Sequence, residues 1–206
     1  MRSGSTLLQH ILGGHSMLRS VSDITSFIPL IRILAGLKPN YNICVKPMDL
    51  LYLQKKVNFY KCFDKFLWIA RDPRDSYLSA IESGYAYLFW PHGKNISNID
   101  IGLLKRWKLI YQHYFEHKEM WYLVKYEDLV ANPPLTLKRI LNYLELPYEN
   151  LLPFKQPHMI HGGDYKIRTS STISTHSLYR YKRELTRGQI HVFNNYLSNE
   201  TRILRY

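Results

Sequence analysis

The sequence predicts an α/β fold with a parallel sheet, and three observations predict it. Short apolar runs, Asn42 to Lys46, Phe66 to Ala70 and Met120 to Tyr126, alternate with stretches whose apolar residues recur at helical spacing. The runs are largely apolar rather than apolar at every second residue, the pattern of strands covered on both faces by helices. The chain also opens on a small polar loop, Arg2-Ser3-Gly4-Ser5-Thr6, that runs into the apolar start of a helix. In parallel α/β folds such loops lie where ligands bind, at the carboxyl edge of the sheet. One domain over residues 1–206 is expected, because this length supports one substantial core.

The opening loop suits a phosphate. The first N–H groups of a helix lack intrahelical acceptors, the peptide dipoles add partial positive charge, and small residues let an anion come close. Gly4 supplies conformational freedom, Ser3, Ser5 and Thr6 add hydroxyl donors, and Arg2 can set a guanidinium against two phosphate or sulfate oxygens. An ordinary capped helix start would use the same small residues. The nucleoside triphosphatase loop is excluded, since no Lys-Ser/Thr follows a second glycine. Leu7, Leu8, Ile11 and Leu12 turn the helix toward a core, and Gly13-Gly14 ends it. A loop of this type normally follows a buried strand, yet the sequence begins inside the loop; N-terminal truncation is the expectation.

Met17 to Ser22 leads to Asp23 and a helical pattern of Ile24, Phe27, Ile28, Ile31 and Leu34. Asp23 stands where a helix starts, so it either caps that helix or offers a carboxylate to a bound acceptor. Asn42 to Val45 reads as a strand closed by Lys46 and Pro47. Lys46 is then either a solvated charge at the strand end or a cation placed to neutralise the oxygens of an anion held by the opening loop.

Phe66 to Ser79 reads as strand, turn and helix. Asp72 caps the helix, and Pro73 suits its first position because the missing N–H has no intrahelical acceptor there. Arg71 closes the strand and Ser79 lies about two turns into the helix, so both can reach one phosphate. The alternative is that Arg71 only pairs with Asp72 or Asp75.

Gly84 to Asp100 reads as a loop with an aromatic cluster, Tyr85, Tyr87, Phe89 and Trp90, serving either as an acceptor lid or as packing. Leu103 to His117 is helical, and its His113 and His117 lack a third ligand, so no metal is expected. The strand Met120 to Tyr126 precedes Glu127-Asp128-Leu129, and Asn132-Pro133 caps an amphipathic helix that stops before Pro147. His161 to Asp164 and the Ser/Thr-rich segment Thr169 to Thr175 precede Tyr179-Arg180-Tyr181-Lys182 and a last helix from about Thr186.

Two stretches, Arg-Ser-Gly-Ser-Thr-Leu-Leu from Arg2 and Arg-Asp-Pro-Arg-Asp with Leu-Ser from Arg71, resemble in order and type those of sulfotransferases that use 3′-phosphoadenosine 5′-phosphosulfate (PAPS). Lys-Tyr-Glu-Asp-Leu from Lys125, followed by Asn-Pro and a helix ending Tyr-Leu-Glu-Leu-Pro, extends the resemblance. It is strong over residues 1–153 and looser over residues 154–206. The family pattern is closer to the bacterial and Golgi-type branch, which includes protein-tyrosine sulfotransferases, than to the cytosolic phenol and steroid enzymes.

The resemblance implies a P-loop NTPase-like three-layer α/β/α sandwich with a central parallel sheet whose first strand is missing. It implies that Arg2 neutralises charge in transfer, that Ser3, Gly4, Ser5 and Thr6 hold the 5′-phosphate, and that Arg71 and Ser79 hold the 3′-phosphate. Tyr126 would lie near adenine, and Asp23 would stand in for the glutamate base of the protein-tyrosine enzymes; Lys46 is a candidate at the sulfuryl group by its position at the strand end alone. Tyr181-Lys182 takes the place of a Trp-Lys pair, and Arg168 is the candidate for an arginine that closes over the nucleotide. PAPS is the implied donor, PAP the product, and the acceptor a small molecule, glycan or peptide.

Composition bounds the rest. With 46% hydrophobic and 14% aromatic residues the chain can form a globular core, and no run approaches the length of a membrane span. Cys44 and Cys62 have no metal or redox spacing, so reduced thiols and a cytoplasmic setting are expected, with a Golgi-lumen origin as the other possibility. The sequons at Asn95 and Asn199 matter only in a secreted setting and read as chance. A net charge of +12 calls for an anionic partner, but no nucleic-acid signature accompanies the scattered basic residues, so a nucleic-acid partner is not expected. A non-catalytic relative that binds nucleotide or a partner is the main alternative to an enzyme.

Overall fold

The computed structural model describes residues 2–21, 27–37, 39–46, 63–84, 92–154 and 170–206. In chain order the elements are α1 (Ser5–Leu12), β1 (Leu18–Val21), α2 (Phe27–Leu34), β2 (Asn42–Val45), β3 (Leu67–Ala70), α3 (Pro73–Ser83), β4 (Asn95–Ile96), β5 (Ile99–Asp100) and α4 (Ile101–Glu116). They continue as β6 (Tyr122–Lys125), α5 (Tyr126–Ala131), α6 (Pro133–Tyr143), α7 (Tyr181–Glu184), α8 (Arg187–Tyr196) and α9 (Ser198–Leu204). The mixed α/β expectation holds: β1 pairs with β2 and β3 pairs with β6, both in parallel.

The chain forms two compact units. The first comprises Met1–Ser3, Leu67–Ala131 and Ser174–Tyr206. Its strand pair runs in register from Leu67 opposite Tyr122 to Ala70 opposite Lys125. Asp72 caps α3 by accepting the Arg74 N–H at 2.9 Å, with Pro73 at the first helical position as expected. Gly84 ends the helix at φ +64°, a left-handed conformation that favours glycine. Trp107 stacks on Tyr111 with ring centroids 3.8 Å apart, and Trp68 meets Tyr111 edge-on at 5.5 Å. Burying large side chains such as Trp107, Leu103 and Phe193 contributes about 1.5–3 kcal/mol each.

Two expectations in this unit are corrected. The strand expected over Met120 to Tyr126 is shorter: Met120 closes a 3₁₀ turn and Tyr126 already begins α5. Within the stretch read as a loop, residues 95–100 form an antiparallel hairpin whose turn residues Ser97 and Asn98 hold φ of +50° and +62°. Asp100 then caps α4, accepting from the Gly102 N–H at 2.8 Å and the Gly93 N–H at 2.9 Å. The backbones approach so closely that a Cβ on Gly93 would lie 2.4 Å from the Gly102 nitrogen.

The second unit comprises Gly4–Phe66 and Asn132–Ile173. Leu7, Leu8, Ile11 and Leu12 of α1 are buried, as their spacing predicts, and Gly13 caps the helix. Leu137, Ile140 and Leu141 supply the buried face of α6, which Asn132 caps. Strand β1 is a finding the sequence did not announce. Leu-Arg-Ser-Val is neither continuously apolar nor alternating, and it becomes a strand by pairing with β2 from Leu18 opposite Asn42 to Val21 opposite Val45. The Gln9 side chain donates to the Val21 carbonyl, tying α1 to the end of that strand.

Candidate functional site

In the first unit, residues far apart in sequence gather around Arg71. The side chain follows β3 directly, and the residue is 5% exposed. Its guanidinium lies over the Tyr126 ring, 4.4 Å from the centroid, while Nη2 donates to the Ser177 carbonyl at 2.9 Å and Nη1 reaches the Arg2 carbonyl at 3.5 Å. Its Nε–H is buried with no acceptor among the described residues. Arg2, which holds φ +31°, donates from Nε to Ser79 Oγ at 3.2 Å. The Ser177 hydroxyl lies 2.7 Å from the Tyr126 hydroxyl.

Arg71 is not committed to the neighbouring carboxylates by hydrogen bonds. Asp72 is taken by Arg74, whose Nε and Nη2 donate to its two oxygens at 2.8 and 2.6 Å. Asp75 accepts the Tyr181 N–H at 2.9 Å. Burial pushes the Asp75 carboxyl above the usual range, against the pull of that N–H and of Arg71. Arg74 in turn lies 3.9 Å from the Tyr181 ring centroid. The acidic residues beside Arg71 thus serve helix capping and the Tyr181 segment, and among the described residues the Arg71 guanidinium meets two neutral carbonyl oxygens and a ring face.

The second unit holds the rest of the opening loop. Gly4 takes φ +92° at the start of α1, with no side-chain cap on the helix. Lys46, one residue past β2, donates from Nζ to Thr6 Oγ1 at 2.9 Å. Ser5 begins the helix and Ser3 belongs to the first unit. Asp23, Arg168 and the aromatic cluster Tyr85 to Trp90 lie outside the described residues.

The structure therefore brings Arg2, Arg71, Ser79 and Tyr126 together, and Lys46 to Thr6. Sequence reasoning missed Ser177, whose carbonyl and hydroxyl both enter the Arg71 cluster; its only signal was the Ser/Thr-rich composition just before it. The His113 and His117 rings lie 5.0 Å apart between centroids and are tilted by 56°, and burial, then the neighbouring His117, holds His113 below the usual histidine range. Among the described residues no group of three or more metal-capable side chains occurs. No described helix is long and apolar enough to cross a membrane.

Comparison with known proteins follows this geometry. The family model described as "Sulfotransferase family" matches residues 64–150, which include Arg71, Ser79 and Tyr126. The solved structure of a sulfotransferase domain from the curacin biosynthetic pathway is similar, with a TM-score of 0.63 and 17% identity, covering 94% of this chain and 93% of that one. The chain has a sulfotransferase-type α/β fold. Curated proteins give no match. The matched stretch spans the strand, turn and helix that carry Arg71 and Ser79, and ends short of Ser177.

Proposed function

We propose that the chain transfers a sulfuryl group from PAPS to a hydroxyl or amine acceptor by in-line displacement. The observation that carries this proposal is the convergence of Arg2, Arg71 and Ser79, separated by up to 77 positions, around a guanidinium whose Nε–H has no acceptor among the described residues. Two guanidinium groups and a serine hydroxyl suit a dianionic phosphate, and a buried donor without an acceptor is expensive unless a ligand completes it. The sulfotransferase-family match over residues 64–150, which include Arg71 and Ser79 but not Arg2, supports the assignment.

Arg71 and Ser79 are assigned to the 3′-phosphate, and Ser3, Gly4, Ser5 and Thr6 to the 5′-phosphate, where α1 lends its first N–H groups. PAPS supplies the activated sulfuryl group when bound. Arg2 is assigned to neutralising charge during transfer as well as to binding, Lys46 to supporting Thr6 and the transferred oxygens, and Asp23 to taking the acceptor proton. Tyr126 supports Arg71 from below and is assigned to the nucleotide side of the site. The acceptor is a small molecule, glycan or peptide, and no metal is assigned a part.

The test is PAP release from PAPS with phenolic, sugar, amine and tyrosyl-peptide acceptors. Release that depends on one acceptor class, and on Arg2, supports the proposal. Tight PAP binding without release for any class would overturn catalysis and leave a nucleotide-binding relative.

A further inference from the structure

The turn that carries Arg71 is pinned from behind. Strand β3 ends at Ala70, so the amides of Arg71 and Asp72 lie past its ladder with β6. Each finds a side-chain acceptor instead. The Arg71 N–H donates to the Tyr111 hydroxyl oxygen at 3.3 Å, and the Asp72 N–H donates to Glu127 Oε1 at 2.9 Å. The other Glu127 oxygen accepts the Tyr206 hydroxyl at 3.1 Å, and Tyr111 is fixed by its stack on Trp107. Arg71, Asp72, Tyr111 and Glu127 are all buried. A buried amide has no water to replace a lost acceptor, so each of these bonds constrains the backbone firmly.

The Arg71 side chain itself is held by carbonyls and a ring face, contacts that tolerate a range of angles. The direction of the guanidinium therefore depends on its backbone. Resting on the proposal that Arg71 holds the 3′-phosphate, we infer that Tyr111 and Glu127 are positioning residues that aim Arg71 by fixing the two amides of its turn. Neither needs to touch the nucleotide. Tyr206 acts one step further back, by holding Glu127.

The test uses the full chain and calorimetric binding of PAP and of adenosine 5′-monophosphate (AMP), which lacks only the 3′-phosphate. Tyr111→Phe removes one oxygen, Glu127→Ala removes the carboxylate, and Glu127→Gln keeps an oxygen that can accept the Asp72 N–H. The expected result is a loss of roughly tenfold in PAP affinity for Tyr111→Phe and Glu127→Ala, unchanged AMP affinity, and recovery in Glu127→Gln to within about twofold of the unmodified chain. If Glu127→Ala does not fold, Tyr111→Phe decides alone. Wild-type PAP affinity in Tyr111→Phe, or a parallel loss of AMP affinity, would overturn the inference. An unmodified chain that binds PAP and AMP equally would overturn the nucleotide assignment and the inference with it; a preference for PAP that survives Tyr111→Phe overturns the inference alone.

Discussion

Arg2 and Ser79 are 77 positions apart, yet the Arg2 Nε donates to Ser79 Oγ at 3.2 Å. Through this bond, and through its carbonyl contact with Arg71, Arg2 joins the Arg71 cluster within the first unit. Replacing Arg2 by alanine is predicted to lower PAP release by about 10²-fold or more, as loss of one preorganised charge-stabilising donor does elsewhere. The melting temperature should shift by no more than a few degrees, because Arg2 is half-buried and outside the apolar core. Near-normal release would remove Arg2 from the mechanism.

Arg71→Lys keeps the charge and loses the planar fork that meets the Ser177 carbonyl and the Tyr126 ring together. PAP affinity is predicted to fall by about tenfold or more in a calorimetric titration. An unchanged affinity would show that charge alone, not the guanidinium geometry, matters at this position.

Glu127 gives a pH-dependent prediction. Burial pushes its carboxyl above the usual range, while the Asp72 and Tyr206 hydrogen bonds pull the other way. The folded chain therefore keeps a proton that the unfolded chain releases at about pH 4.3. The sign follows: stability falls as pH rises from the unfolded carboxylate value to the folded one, and is level above it. Glu127→Gln removes that loss, and the raised Asp75 is common to both proteins and drops out of the difference. Urea unfolding from pH 4 to 7 should show Glu127→Gln gaining on the unmodified chain as pH rises; a constant difference would contradict this.

Cys44 is a free thiol whose pKa burial pushes up to about 11, against the pull of Lys46. In a Cys62→Ser background its alkylation at pH 8 should be roughly two hundred-fold slower than that of free cysteine, because little thiolate forms. Alkylation at the free-thiol rate would contradict the raised thiol pKa of this half-buried residue.

Gly93→Ala places a Cβ 2.4 Å from the Gly102 nitrogen and 2.8 Å from an Asp100 carboxylate oxygen, in the cap that starts α4. The chain should lose about 1–3 kcal/mol in chemical denaturation.

The sequence announced what local chemistry decides. Asp72 before Pro73, Asn132 before Pro133 and the spacing of Leu7 to Leu12 each declared a helix start or a buried face that the structure contains. Arg71 and Ser79 were legible as a pair because both lie in one strand-turn-helix segment, which the sulfotransferase-family match also spans. What stayed hidden depends on distant partners. Leu18–Val21 is a strand only beside β2, Tyr126 passes from strand to helix at a point its composition does not mark, and Ser177 enters the site through a carbonyl that no residue type advertises. Tyr111 and Glu127 look like core and surface residues until the Arg71 and Asp72 amides are seen to need acceptors.

A thermal-shift titration with PAP, using AMP as the control that lacks only the 3′-phosphate, bears most directly on the central claim. A nucleotide that binds only the folded chain stabilises it by about 2.7 kcal/mol at a hundredfold excess over Kd, roughly 5–10 °C for a chain of this size. The proposed role of Arg71 and Ser79 predicts such a rise with PAP and a much smaller one with AMP. Equal shifts with both, or none with either, would contradict it.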